Sequence, residues 1–342
     1  MNLIESPKIL MLTTGGTIAS MITEDGLRPE LGGTEILQRM PELPVQYHVE
    51  TRQVCNIDST NITVNHWKEL VSAIQKHYEE YDGFVICHGT DTMAYTAAAL
   101  SYMIQNSAKP IVITGAQKPI SDDITDAKTN LLDAIVYAGD SQSSGVVLIF
   151  NGKVITGTRA KKMRANSYDA FSSVNFPILA NVRRSRIFRY IKTDNASEPV
   201  QFYHEFSESV VVLKLIPGTK PELLEYLFRN YACIIIESFG VGGIPLTLKE
   251  CFYTQLQKFT SSGKIVIIQT QVIGEGSNME VYEVGRRVKQ DFQLIEAYDM
   301  TMEATVAKSM YIMGRFGTNQ DLFRKEFYRK IENDLLSISD SE

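Results

Sequence analysis

Three stretches hold residue types that could do covalent chemistry. "LMLTTGGTIAS" (10–20) runs an apolar segment into Thr13, Thr14, two glycines and Thr17. "CHGTDTMAYTAAAL" (87–100) leaves a second apolar run through His88, Gly89, Thr90 and Asp91, and "TRAKKMRANSYDAF" (158–171) carries Lys161 and Lys162. A plain strand exit needs one turn residue. A Gly-Gly pair with hydroxyls on both sides does more, because bare glycines let backbone N–H groups approach a ligand beside groups that attack or donate. A threonine hydroxyl is a weak nucleophile until a proton acceptor or a positive neighbour activates it, and the two lysines are candidates for that role. Each stretch taken alone also has an ordinary structural reading. Thr90 or Asp91 suits a helix N-cap, and paired lysines suit a solvated turn.

The elements that must position these groups are legible as periodicity. "KILML" (8–12), "GFVIC" (83–87), "PIVIT" (110–114), "GVVLIF" (145–150), "ACIIIE" (232–237) and "KIVIIQ" (264–269) read as parallel strands buried on both faces. Between them, "HWKELVSAIQKHY" puts Trp67, Leu70, Val71, Ile74 and Tyr78 on one helical face, and "TKPELLEYLF" opens with a capping-box pair, Thr219 and Glu222. Strand and helix alternate, so the fold class is α/β, with flavodoxin- or Rossmann-like layers. Both polar loops then lie at the carboxyl ends of strands, where open α/β sheets bind ligands. With 342 residues the chain exceeds what a single core supports, and the polar stretch 191–209 breaks the rhythm. The expected organisation is a larger N-terminal domain over 1–190 with a mostly parallel sheet, a linker over 191–209 and a smaller C-terminal domain over 210–342.

Several classes are disfavoured. A net charge of −6 argues against nucleic acid or membrane surfaces as partners. Neither GxGxxG nor GxxxxGK[ST] occurs, so a phosphate loop is not expected. The five histidines are scattered, without ligand spacing, and Cys55, Cys87, Cys233 and Cys251 form no CxxC, so no metal site is read and the cysteines are expected to be reduced. The N-terminus has no basic segment followed by a long apolar one, and no apolar run approaches the ~20 residues of a membrane span. A cytoplasmic location is expected.

The motifs "TGGTIAS" (14–20), "IDST" (57–60), "HGTDTM" (88–93), "TGAQKP" (114–119) and "RAKKMRANSYDAF" (159–171) together resemble the bacterial-type L-asparaginase family. The likeness extends through "ESFGVGGIP" (237–245) and "MTMEATVAK" (300–308). The resemblance implies two α/β domains, a site at a subunit interface in a homodimer or dimer of dimers, and hydrolysis of L-asparagine to L-aspartate and ammonia without metal or organic cofactor. By the same resemblance Thr17 is the nucleophile, and Thr90, Asp91 and Lys162 form a second constellation. In it the lysine polarises a threonine hydroxyl that transfers a proton or positions water. Asp58, Ser59 and Thr60 correspond to the loop holding the substrate's α-amino and α-carboxylate groups. Gly89, Thr90 and Asp91 also bind the substrate, Asp91 sharing the ammonium, and backbone N–H groups near Thr17 and Thr90 hold the oxyanion.

"IDST" and the N-terminus resemble the intracellular, type I branch. Leu27 stands where many members carry a loop tyrosine, and Tyr282 is expected to supply the missing phenol. Gly243 replaces an asparagine that reaches a neighbouring subunit's substrate. Glu237 and Val272 replace the arginine and cysteine of an allosteric site in some type I enzymes, so hyperbolic asparagine saturation is expected. The basic run "RRSRIFR" (183–189) reads as a solvated or interface face, with a tRNA contact as the sharper alternative. Two other functions share the motifs: the asparaginase-like subunit of a tRNA-dependent amidotransferase, which normally has an N-terminal extension, and a non-catalytic amino-acid-binding module.

Overall fold

The computed structural model describes residues 6–24, 26–40, 43–44, 46–192, 198–245, 249–281 and 283–336. The chain divides after His204 into two compact α/β units, the first the larger. In the first, the strand Lys8–Gly15 pairs in parallel with His48–Ile57 on one side and Gly83–Cys87 on the other. Pro110–Thr114 and Gly145–Phe150 continue the parallel set outward. Lys153–Thr156, Ala180–Arg183 and Arg186–Arg189 then add antiparallel, completing an eight-stranded sheet among the described residues.

The central strands are apolar on both faces because both faces are covered. Ile9, Met11, Val85, Val112, Val147 and Ile149 share one core with Leu131, Ala134 and Ile135 of the helix Ala127–Ala138. Their neighbours Leu10, Phe84, Ile111 and Leu148 are equally buried. Each such side chain stabilises the fold by about 1.5–3 kcal/mol relative to exposure. The helix Val64–His77 buries Trp67, Leu70, Val71 and Ile74, and Tyr78 is buried just past its end. His66 accepts at Nδ1 from the Thr63 N–H, which closes the helix start.

This topology places the crevice. From Lys8–Gly15 the chain moves to one side to form His48–Ile57, then crosses back to form Gly83–Cys87 on the other. The reversal opens a cleft at the carboxyl ends of the first and third of these strands. Residues 16–17 and 88–91 leave the sheet there.

The second unit is built on four parallel strands, Val210–Lys214, Cys233–Ser238, Ile265–Thr270 and Ile295–Glu296. Ile234, Ile236, Val266 and Ile268 pack with Phe228, Phe252 and Leu256. One expectation fails here. The helix Glu222–Asn230 has Pro221 at its N-cap and no side-chain cap bond, so Thr219 forms no capping box with Glu222. The Thr219 hydroxyl instead accepts from the Ile216 N–H and donates to the Ile216 carbonyl, both at 2.8 Å, because the turn before the proline satisfies it locally.

Within the segment 191–209, Gln201–Phe202 pairs with Ile104–Gln105 in the first unit, and the Ser207 N–H donates to the Met310 carbonyl in the second. The basic run forms the turn and outer strand of the edge hairpin, with Arg189 paired to Asp140. No described helix is long and apolar enough to cross a membrane.

Candidate active site

Three loops converge at the crevice, and two glycines make the convergence possible. Gly16, at φ 75°, sits so close to the second loop that a Cβ there would lie 2.3 Å from the Gly89 Cα. A Cβ on Gly89 would lie 2.7 Å from Ser59 Oγ. The Gly16 and Gly89 backbones and the Ser59 side chain, from three sequence-distant loops, therefore meet where no further side chain fits. Gly15, at φ 98°, packs likewise against Ile57, and the Gly16 N–H donates to the Ile57 carbonyl at 3.0 Å. Thr17 opens the short 3-10 turn Thr17–Ala19 just past this contact. Its side chain is half-buried, and among the described residues its hydroxyl has no hydrogen-bond partner. Thr14 is committed elsewhere, its hydroxyl donating to the Cys87 carbonyl.

The second loop is anchored from behind by a buried polar chain. Trp67 Nε1–H donates to Thr96 Oγ1 at 2.9 Å, and His88 Nε2 lies 2.9 Å from the same oxygen. His88 Nδ1 lies 2.7 Å from the Gly89 carbonyl. A carbonyl only accepts, so His88 carries its proton on Nδ1, and Nε2 accepts from Thr96. Burial holds the imidazole neutral, its pKa pushed down to about 4, with the Gly89 bond opposing in the other direction. Neither Thr90 nor Asp91 caps the helix that follows: Met93–Met103 has Thr92 at its N-cap and no side-chain cap bond. Their side chains face other partners.

Lys162 is the first of these. The 3-10 turn Gly157–Arg159 packs against the helix Met93–Met103 so closely that a Cβ on Gly157 would lie 2.5 Å from Ser101 Oγ. Arg159, the last residue of the turn, is fully buried, with its guanidinium 5.7 Å from the centre of the Phe176 ring. The strand Ala160–Lys162 emerges from that turn. It delivers Lys162 Nζ to 2.8 Å from Thr90 Oγ1 and 2.6 Å from Asp91 Oδ1. It is Lys162, rather than Lys161, that reaches the threonine.

Asp58, Ser59 and Thr60 form the third loop. Asp58 Oδ1 accepts from the Thr60 N–H at 2.8 Å and from its hydroxyl at 2.7 Å, which commits Thr60 to its own turn. Ser59 is buried and ties the loops together: its Oγ accepts from the Asp91 N–H at 3.3 Å, and its carbonyl accepts from the Thr92 hydroxyl at 2.7 Å. The carboxylates of Asp58 and Asp91 are both exposed beside it. Two acidic side chains flanking a serine suit a ligand bearing an ammonium and a carboxylate. Among the described residues no group of three or more His, Cys, Asp or Glu side chains converges as a metal site.

Thr90, Asp91, Lys162, Ser59 and Gly89 are thus joined by direct contacts, and Thr17 is joined to them through Gly16. Tyr282 lies outside the described residues. Leu27 stands exposed on the hairpin that pairs Ser20–Thr23 with Gly26–Pro29. Two contributors were not foreseen: His88, and Gln117, whose Oε1 accepts from the Thr90 hydroxyl at 3.4 Å. The only signal for Gln117 was its place in "TGAQKP".

Parallel α/β layers with hydroxyl, ammonium and carboxylate groups gathered at a carboxyl edge make a polar small-ligand site at the crevice of an α/β sheet. Residues 8–194 match the family described as Asparaginase, N-terminal, and residues 209–327 match Glutaminase/Asparaginase C-terminal domain. The L-asparaginase of Thermococcus kodakarensis is 37% identical over 96% of this chain and 99% of its own length. The solved structure of the thermostable L-asparaginase from that organism superposes with a TM-score of 0.91 at 35% identity, covering 96% of this chain and 99% of that one. L-asparaginase 1 of Escherichia coli K12 is 32% identical over 97% of this chain and 98% of its own. A glutamyl-tRNA(Gln) amidotransferase component of Methanosphaera stadtmanae is 32% identical over 92% of this chain and 73% of its own. The chain belongs to the asparaginase family and is an amidohydrolase.

Proposed function

We propose that the protein hydrolyses the side-chain amide of L-asparagine to L-aspartate and ammonia, with Thr17 as nucleophile. The observation that carries this reading is the single ammonium, Lys162 Nζ, held against both the Thr90 hydroxyl and the Asp91 carboxylate. Thr17 Oγ adds to the amide carbon and its proton ends on the leaving nitrogen, the transfer running beside Thr90 Oγ1, which the Lys162 ammonium polarises while keeping its own protons. The C–N bond breaks, ammonia departs and a β-aspartyl ester remains on Thr17. Water then adds to the ester carbonyl and the C–O bond breaks, which restores the Thr17 hydroxyl and frees aspartate. Backbone N–H groups beside Gly16 and Gly89 hold the oxyanion, a role worth ~3 kcal/mol per donor.

Asp58 and Asp91 clasp the substrate ammonium in this scheme, and Ser59 donates to its α-carboxylate. Thr60 acts by fixing Asp58. Tyr282 supplies a phenol to the nucleophile in place of Leu27, an assignment that full turnover in Tyr282→Phe would overturn. The likeness to type I members supports a cytoplasmic location and a homodimer or dimer of dimers. Glutamine is longer by one methylene, a difference that separates substrates by only ~1–3 kcal/mol.

Ammonia release from L-asparagine and from L-glutamine, measured for the wild type and for Thr17→Ala at neutral pH, tests the scheme. Asparagine-selective release that vanishes in the variant is the expected result. No release from the wild type would overturn it and favour a partner-dependent amidotransferase component, the class to which the methanogen relative belongs. Asparagine binding without turnover would favour a sensing module.

A further inference from the structure

Gln117 ties Thr90 to the loop that begins at Lys162. Its side-chain Nε2 donates to two carbonyls of that loop, Ala165 at 3.0 Å and Ser167 at 3.1 Å. Both amide protons are then used, so the amide can take only one orientation, with Oε1 turned toward Thr90. The backbone of Gln117 is fixed as firmly. Its N–H donates to both oxygens of Asp126, at 3.1 and 2.9 Å, and the Lys118 N–H adds a third bond to the same carboxylate at 3.1 Å. Asn130 holds Asp126 Oδ2 at 3.2 Å and the Gly115 carbonyl at 2.9 Å.

The loop on the far side has a closed frame of its own. The Met163 N–H donates to the Ala170 carbonyl at 2.7 Å, Arg164 Nη1 reaches the Asp169 carbonyl at 2.7 Å, and Lys153 Nζ reaches Asp169 Oδ1 at 2.5 Å. Thr90, Lys162, this loop and Gln117 therefore form a ring of contacts around one hydroxyl.

The placement of protons shows what the ring does. Lys162 Nζ only donates, so it occupies a lone pair of Thr90 Oγ1. Gln117 Oε1 only accepts, so the Thr90 hydrogen points at it. One lone pair remains, and Thr90 is presented to the crevice as an acceptor. Without Gln117 the hydroxyl can rotate and offer its hydrogen to the site, which removes the lone pair that accepts a hydrogen bond from a hydroxyl or water in the crevice.

We propose that Gln117 is a positioning residue. It sets Thr90 Oγ1 as a hydrogen-bond acceptor toward the crevice and holds the 163–170 loop in the register that keeps Lys162 against it. This inference rests on the asparaginase reading for its kinetic part, and on the hydrogen bonds alone for its structural part.

The test is Gln117→Met, which keeps the shape and removes both the donor and the acceptor. The asparagine clasp of Asp58, Ser59 and Asp91 does not touch Gln117, so kcat should fall at least about tenfold with KM within about threefold of wild type. Gln117→Glu, which restores an acceptor for Thr90, should recover part of that loss. Amide hydrogen exchange at Met163, Arg164 and Asp169 should quicken severalfold in Gln117→Met, while the Asn61 and Ile62 amides beside Asp58 stay at the wild-type rate. A folded Gln117→Met with kcat within twofold of wild type, or with unchanged exchange in the 163–170 loop, would overturn the proposal. A fall in kcat shared equally by Gln117→Glu would overturn the acceptor role. Should wild type release no ammonia from asparagine, the functional reading fails by itself, and the exchange comparison still decides whether Gln117 organises the loop.

Discussion

Gly16 and Gly89 touch backbone to backbone: a Cβ on Gly16 would sit 2.3 Å from the Gly89 Cα and 2.4 Å from its nitrogen. The two glycines bring the candidate nucleophile's loop and the Thr90 loop within reach of one small ligand. Gly16→Ala should destabilise the protein by roughly 2–5 kcal/mol, from overlap with rigid backbone added to the strain of φ 75°. Asparagine turnover should be lost with it. Gly218→Ala is the comparison, since Gly218 has φ 91° with nothing within 4 Å of its added Cβ. Strain alone should cost that variant about 1 kcal/mol, with turnover kept. Denaturant unfolding of the two variants beside wild type measures the difference.

Lys162→Met removes the ammonium that Thr90 and Asp91 share. Loss of a proton-transfer partner typically lowers rates by about 10²–10⁴-fold, and kcat for asparagine should fall in that range. Lys162→Arg should not restore it, because a guanidinium cannot reproduce the compact three-donor geometry at Thr90 and Asp91. Steady-state kinetics decides. A kcat within tenfold of wild type in Lys162→Met would remove Lys162 from the proton path.

His88 gives stability an acid-sensitive component. The folded imidazole stays neutral down to about pH 4, whereas in the unfolded chain it protonates near its ordinary 6.5. The unfolded state therefore binds more protons between these values, and stability falls as pH drops through that window, by up to roughly 3 kcal/mol. His88→Gln should lose this slope, so the gap between wild type and variant should narrow from pH 7 to pH 4.5 in urea titrations. Its kcat should also fall several-fold, because the Gly89 carbonyl loses its anchor.

Asp133 acts with the opposite sign. It is buried on the helix Ala127–Ala138, and desolvation pushes its carboxyl up to about 7 from an ordinary 3.8. The folded state holds this proton more tightly, so the stability it contributes is complete below the ordinary value and is lost as pH rises toward 7. Asp133→Asn cannot ionise. It should unfold at a higher temperature than wild type at pH 8, and this advantage should shrink by pH 4.5. Thermal unfolding at both pH values gives the comparison.

In the second unit, Lys308 and Asp334 form an ion pair at 2.5 Å with both side chains fully buried. Lys308→Met strands the carboxylate and should cost about 3–5 kcal/mol, whereas Lys308→Met with Asp334→Leu should recover most of that loss. Chemical denaturation of the single and double variants measures it.

The amino-acid sequence by itself determined the layers and the contents of the loops. Runs such as "GFVIC" and the first four residues of "PIVIT" carry no polar side chain, and a chain can hide such a run only by burying a strand on both faces. The Gly-Gly and His-Gly-Thr-Asp exits named Thr17, Thr90 and Asp91 as candidates because glycine beside a hydroxyl is costly unless a close approach needs it. The capping reading at Thr219 failed for a local reason, a competing turn bond to Ile216. Residue type alone left Lys161 and Lys162 equal, the family resemblance named Lys162, and tertiary structure places Lys162 on Thr90, 72 residues away. It alone brought in Gln117, 27 residues from Thr90, and the chain from Trp67 through Thr96 and His88 to Gly89. Periodicity reports which face of an element is buried. It carries no record of which side chains meet once the sheet reverses its strand order, and at that reversal the loops come together.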